Sequence, residues 1–208
     1  MKRTPIVVEK IWDEDFDTKK SNAENAIGAL LVAGRPLFVG YSSGKDSSAM
    51  LGMVLDKARE LKLAGIKLPT IVVSHSDTKV ENPEIKVTAR KEMLSIQAYA
   101  TKHDLEVLIA IAEPNLNDTF STRTIGGRVL PIFPNSSQRD CSVDWKLKPQ
   151  VALRKRVLKE LSEEGRPVIL IGTRFEESTS RATRMEERKE TAHTPWIGED
   201  KNSYLSPI

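Results

Sequence analysis

The sequence predicts an α/β domain built on a mostly parallel sheet flanked by helices. Apolar, β-branched runs of strand length alternate with longer stretches whose apolar residues recur every three to four positions, the pattern of βαβ units. Each expected strand is followed by a polar segment: SSGKDSS after the first, HSDT (75–78) after the second, EPNLNDTF (113–120) after the third and GTRFEES (172–178) after the fourth. Parallel sheets bind ligands beyond the carboxyl ends of their strands, so these four segments are expected to converge on one site.

In chain order, residues 22–33 (NAENAIGALLVA) read as a helix closed by Gly34 in the C-cap role. The apolar run 36–41 is the first buried strand. An amphipathic helix follows over 46–63, with Met50, Leu51, Val54, Leu55, Ala58 and Leu61 on one face. TIVVS (70–74) is a β-branched strand. Asn82 and Pro83 open a helix reaching His103, as N-cap and first helical residue. LEVLIAIA (105–112) is the third strand, ended by Pro114; residues 113–141 are irregular, and an irregular segment of that length in a compact domain is usually functional. A basic amphipathic helix spans 148–163, PVILI (167–171) is the fourth strand, and a charged helix covers 177–190.

At 208 residues the chain has room for one domain with a substantial core. The longest uncharged apolar stretch, 26–34, is too short to span a bilayer, and charges interrupt the amino-terminal apolar run, which argues against a secretory signal. A single cysteine, Cys141, makes no internal disulfide, so a cytoplasmic location is expected. The net charge of +3 decides little, but its distribution does: residues 123–159 hold nine Lys/Arg against Asp140 and Asp144. That excess is a footprint for a polyanion such as nucleic acid or nucleotide. For residues 154–159 a solvated helix face reads equally well. Arg123, Arg128 and Arg139 stand among Gly, Pro and Ser, where that bland reading is weaker.

The loop FVGYSSGKDSS (38–48) leaves a buried strand for a helix, the arrangement that offers backbone N–H groups and a positive helix end to an anion. Gly44 allows close approach, Lys45 supplies charge, and the Ser47 and Ser48 hydroxyls can donate to phosphate oxygens. It is not a Walker A loop: Gly40 lies four positions before Gly44, one short of that spacing, and no G-x-G-x-x-G dinucleotide pattern is present.

SSGKDSS resembles the S-G-G-x-D-S signature of the PP-loop ATP pyrophosphatase superfamily, whose members cleave ATP between the α and β phosphates. Ser43 stands where that family carries its first glycine, a replacement that suits a backbone at negative φ. HSDTKVENPEI (75–85), RDCSVDWKLKP (139–149) and GTRFEESTSRA (172–182) resemble, in the same order, segments of phosphoadenylylsulfate-reductase-like proteins. VENP (80–83), NDTF (117–120), the following Gly-Gly-Arg loop and the Asp-Cys segment look most like the DNA phosphorothioation proteins of the DndC and SspD groups. The resemblance implies an adenine-nucleotide α-hydrolase-like (PP-loop) three-layer sandwich: residues 1–34 as a helical lead-in, 35–190 as the ATP pyrophosphatase domain, and 191–208 as a C-terminal segment, with the chain expected to be truncated relative to longer relatives.

The resemblance also implies roles. ATP with Mg²⁺ is the expected cofactor, bound by Ser42, Ser43, Gly44, Lys45, Ser47, Ser48, Asp77, Thr78, Gly172, Arg174, Glu177 and Arg181. The catalytic set is Lys45, Asp46, Asp77, Cys141 and Arg174, with Asp46 equally readable as a helix cap and Asn117 and Asp118 as further candidates or a plain Asx turn. Adenylylation would turn an oxygen of a DNA backbone phosphate into a leaving group, and sulfur would replace it. Cys141 would carry persulfide sulfur from a cysteine desulfurase, or it is a buried structural cysteine. Expected partners are DNA, that desulfurase and other proteins of a restriction-like defence system, with no membrane; an iron–sulfur cluster is not expected from one cysteine. Two alternatives stand beside this: a sulfonucleotide reductase, and a non-catalytic nucleotide- or nucleic-acid-binding subunit.

Overall fold

The computed structural model describes residues 15–127, 143–161, 167–173, 183, 185–188, 195–198 and 202–207. Its centre is a six-stranded sheet of β1 (Leu37–Tyr41), β2 (Ile71–Ser76), β3 (Val107–Ala112), β4 (Val168–Leu170), β5 (Trp196–Ile197) and β6 (Ser203–Leu205), in the spatial order β3-β2-β1-β4-β6-β5. Five strands are mutually parallel; β5 alone pairs antiparallel, with β6 at the edge. From β1 the chain steps outward to β2 and β3, then returns to the other side of β1 for β4. The order therefore reverses between β1 and β4, where a crevice opens at the carboxyl end of a doubly wound sheet.

Parity along the strands assigns the layers. Leu37, Val39 and Tyr41 of β1, Ile71 and Val73 of β2, and Val168 and Leu170 of β4 pack against one set of helices. These are α1 (Phe16–Val32), which contributes Ile27 and Leu31, α2 (Lys45–Leu63), which contributes Met50, Leu51, Val54 and Leu55, and α3 (Pro83–Lys102), which contributes Ala100. The alternate residues Phe38, Val72, Ala110, Ala112 and Ile169 face the other way. They meet Leu153 and Val157 on a helix (Lys148–Glu160) of the opposite layer. The molecule is thus a three-layer α/β sandwich, and strands covered on both faces explain why the sequence reads as continuous apolar runs.

Several boundaries differ from expectation. Helix α1 begins at Phe16, six residues before the expected Asn22, because its first turns are exposed and offer no apolar periodicity to detect. Gly34 does end it, at φ 69°. Strand β2 runs two residues past Ser74, and Asn82 caps α3 by accepting from the Glu84 N–H at 2.9 Å. The stretch 113–141 is not wholly irregular: a 3₁₀ turn covers Leu116–Asp118, and a short helix α4 covers Phe120–Ile125. A π-turn at Val143–Leu147 leads into the basic helix, here α5. Segment 203–205 lies in the same sheet, with the Ile171 N–H donating to the Leu205 carbonyl at 3.0 Å and the Thr173 and Ser206 hydroxyls 2.8 Å apart. Only part of the expected 177–190 helix is described, with residues 185–187 helical.

Candidate functional site

The phosphate-type loop sits at the reversal point, where β1 hands over to α2. Ser47 is buried, and its hydroxyl donates to the Gly44 carbonyl at 2.9 Å while accepting from the Ser42 N–H at 3.2 Å. With that proton committed to Gly44, the Ser42 hydroxyl donates to Ser47 Oγ at 3.0 Å. Ser47 is therefore the strut that closes the loop, whereas Ser42 and Lys45 are exposed and Ser48 is half-buried. Gly44 is the N-cap of α2 at φ −88°, an ordinary extended conformation, and as a glycine it brings no side-chain cap of its own. The N–H groups of Lys45, Asp46 and Ser47 precede the first intrahelical bond, made by the Ser48 N–H to the Gly44 carbonyl at 2.9 Å. They concentrate positive potential at the end of a 19-residue helix.

Two neighbours define this loop more sharply than its own residues do. Ser43 adopts φ 59°, so the serine at the position where the PP-loop signature it resembles has glycine stands in the left-handed region. The condition under which serine suits this position is not met, and the backbone carries about 1–2 kcal/mol of local strain. Gly172, just beyond β4, lies against the start of α2: a Cβ there would come within 3.0 Å of the Asp46 carbonyl carbon and the Ser47 nitrogen. Glycine at 172 is what lets the post-β4 backbone reach the helix N-terminus.

Tyr41, the last residue of β1, donates its phenol to Glu92 on α3. Burial, reinforced by that carboxylate, pushes the phenol above its ordinary range. His75 Nδ1 lies 2.9 Å from the Tyr41 carbonyl, which assigns the proton to Nδ1 and leaves Nε2 as an acceptor. Thr78 is buried. Asp77 turns into a knot of cations: it accepts from the Lys79 N–H at 3.0 Å, from Lys79 Nζ at 3.2 Å and from Lys86 Nζ at 2.9 Å, while Lys79 also pairs with Glu113. Burial would raise the Asp77 carboxyl, but Lys86 and both Lys79 donors outweigh it and bring it down to about 2. In this arrangement Asp77 fixes the turn before α3.

The two motifs read separately as NDTF and DCSVDWK meet in space. Trp145 Nε1 donates to the Asp118 carbonyl at 2.8 Å, and its ring meets Phe120 edge to face at 5.8 Å. Asp144 is buried between Arg123 and Lys148, each 2.6 Å away; the Lys148 ammonium and the Arg123 guanidinium hold its carboxyl below the usual range against the opposing effect of burial. This clamp sets the π-turn and aims Lys146 at the crevice. Asn117 is exposed, and Asp118 closes the 3₁₀ turn through its own N–H to the Asn115 carbonyl at 2.8 Å.

The crevice itself is a cleft of about 340 Å³. Ser42, Ser47, Gly40 and Gly172 form one wall, Ser74 and Ser76 the floor, and Lys146, Gln150 and buried Arg154 the α5 wall. Gln150 Nε2 donates to Ser76 Oγ at 3.0 Å, tying α5 to β2. The volume is that of a small-molecule site. Gln150, Ser74 and Tyr204 belong to none of the expected site segments, and Arg154 was expected only as part of the basic stretch; His75 and Ser76 lie in the expected HSDT segment, and Tyr41 in the 38–48 loop. The signals were present: polar residues at alternate positions at the end of β2, and an arginine on the same helical face as Leu153 and Val157. Cys141, Arg174, Glu177 and Arg181 lie outside the described residues, as do Arg128 and Arg139.

Among the described residues no group of three His, Cys, Asp or Glu converges as a metal site. Mg²⁺ carried in with a nucleotide needs only one or two carboxylates beside phosphate and water. Asp46 lies in the first turn of α2 and Glu81 lines the cleft. Among the described residues, no helix is long and apolar enough to cross a membrane.

No protein-family model matches the chain, and no curated protein matches it. Among solved structures, it is similar to a protein of the universal stress protein family from Burkholderia pseudomallei, at 14% identity and a TM-score of 0.37, over 84% of this chain and 97% of that one. A likeness at that level leaves the sheet order and the site geometry as the grounds for any functional reading.

Proposed function

We propose that the chain binds ATP with its pyrophosphate over the 42–48 loop, cleaves it to AMP and pyrophosphate, and thereby activates a DNA backbone phosphate for replacement of an oxygen by sulfur. The observation that carries the nucleotide part is the meeting of Gly172 with the first turn of α2, at the sheet reversal and beside a cleft holding Lys146 and Arg154. Backbone N–H groups of residues 45–47, the Lys45 ammonium and the hydroxyls of exposed Ser42 and half-buried Ser48 would take the β and γ phosphates. Mg²⁺ bound with ATP would neutralise charge developing on the pyrophosphate. Arg174 and Arg181 would add phosphate contacts, with Glu177 orienting one of them. A DNA phosphate oxygen would attack the α phosphorus as pyrophosphate leaves.

Cys141 would then present persulfide sulfur received from a cysteine desulfurase. Attack by its outer sulfur on the activated phosphate would expel AMP, and a thiol of another molecule would release the phosphorothioate by reducing the remaining S–S bond; without persulfide or DNA, water would take the nucleophile's place, so that AMP still forms. The DNA part of the proposal rests on the resemblance of residues 117–120 and 139–149 to phosphorothioation proteins. Its test is Cys141→Ser, which should abolish sulfur incorporation into DNA in cells while AMP formation continues; unchanged sulfur incorporation would remove Cys141 from the pathway. The left-handed Ser43 favours a second reading, a subunit that binds the nucleotide without turning it over. Tight ATP binding with no AMP produced, with or without DNA, would decide for that reading.

A further inference from the structure

The outer face of α5 carries a charge pattern that the nucleotide cleft does not use. Between Val143 and Leu161 there are six Lys/Arg against two carboxylates, and four of the six, Lys148, Lys155, Arg156 and Lys159, lie outside the cleft. One of those, Asp144, is buried within its clamp, and the other, Glu160, pairs with Arg156 at 3.9 Å. Lys148, Lys155 and Lys159 follow one another at i, i+7 and i+11 with Ala152 between them, which places them in one row along the helix. All four positions are exposed, as is Arg156 beside the row. At 1.5 Å per residue the row is about 16 Å long, and a duplex strand passes about five phosphates over that distance. The amino-terminal end of the row adjoins Lys146, which lines the cleft.

We infer that this face of α5 is the docking surface for the phosphate backbone of duplex DNA, leading the strand toward the cleft. The inference rests on the proposed reaction for the choice of DNA as polyanion, but the surface is defined by its own residues. An anionic bilayer fits less well. A helix lying on a membrane turns an apolar face to it, whereas Leu153 and Val157 of α5 are buried on the sheet and the outward row has Ala152 where an inserting side chain would stand.

The test uses the full chain and a short fluorescein-labelled duplex, read by anisotropy across a salt series, with phosphatidylserine vesicles as a second probe. In the triple variant Lys155→Gln, Arg156→Gln, Lys159→Gln, the duplex affinity should fall at least about tenfold at 0.1 M salt, and the slope of log K against log salt should lose about 2–3 of its magnitude. The three side chains are exposed and Arg156 has only a long surface ion pair, so the melting temperature should not move. Equal duplex binding by variant and wild type, no duplex binding by the wild type, or row-dependent binding to vesicles alone would each overturn the inference. ATP cleavage is measured separately, with and without DNA. A wild type that binds duplex through this row yet never forms AMP sinks the proposed reaction and leaves the surface standing. AMP formation with row-independent duplex binding does the reverse.

Discussion

Ser43 and Ser47 show how little a motif reveals about what each of its residues does. Ser43 pays for a left-handed backbone, and glycine would relieve that strain at the cost of a more flexible unfolded chain. The balance for Ser43→Gly is a gain of about 0.5–1 kcal/mol, or about 2 °C in melting temperature for a chain of this size. Ser43→Val should lower the melting temperature, and scanning fluorimetry compares all three. Ser47→Ala removes the acceptor of the Ser42 N–H, while the Gly44 carbonyl keeps the Ser48 N–H, and a lost partner of this kind costs about 1 kcal/mol. Ser47→Ala should therefore destabilise the fold as well as weaken nucleotide binding, whereas Ser48→Ala should weaken binding alone. Asp77 gives the pH dependence. Its folded carboxyl sits at about 2 against an ordinary 3.8, so its contribution is complete above about pH 4 and is lost as pH falls toward 2. That contribution is at most about 2 kcal/mol, because the lysine partners are themselves well exposed. Chemical denaturation at pH 6 and pH 3 should show the gap between wild type and Asp77→Asn narrowing to about half at the lower value.

The next scale is the junction of elements, where the post-β4 strand end, the start of α2 and the α5 wall meet. Gly172→Ala places a methyl group against helix backbone, which cannot yield as a flexible side chain would. It should move the β4 end off α2 and cost nucleotide affinity by tenfold or more, measured by calorimetry, with the far-UV spectrum preserved. On the other side, the Trp145–Asp118 bond and the Arg123–Asp144–Lys148 clamp tie two segments that are far apart in sequence. These contacts were not legible beforehand. Periodicity reports which face of an element is buried, but a π-turn has no period to detect, and the tryptophan that pins it could have packed in any core. Strands β1 and β2 and helices α2 and α3 were readable because each repeats its pattern over several turns or along a fully buried run. The two- and three-residue strands β5 and β6 were too short to show alternation at all.

At the scale of the whole molecule, the sequence motifs and the sheet order point to one place by separate routes. The polar segments were expected beyond strand ends. The order β3-β2-β1-β4-β6-β5 puts the first of them beside Gly172, which opens the fourth, at the reversal, and no single motif could have told that. The parity of β1 also explains the division of labour: one face is closed by α1, α2 and α3, and the face toward α5 opens the cleft. The central claim is that this junction directs attack to the α phosphorus of ATP. Incubation with Mg²⁺ and ATP labelled at the γ phosphate, with and without duplex DNA, tests it most directly. The account predicts that the label leaves as pyrophosphate with an equal amount of AMP, and that Lys45→Gln removes most of that activity. Label released as inorganic phosphate, with ADP as the other product, would contradict it.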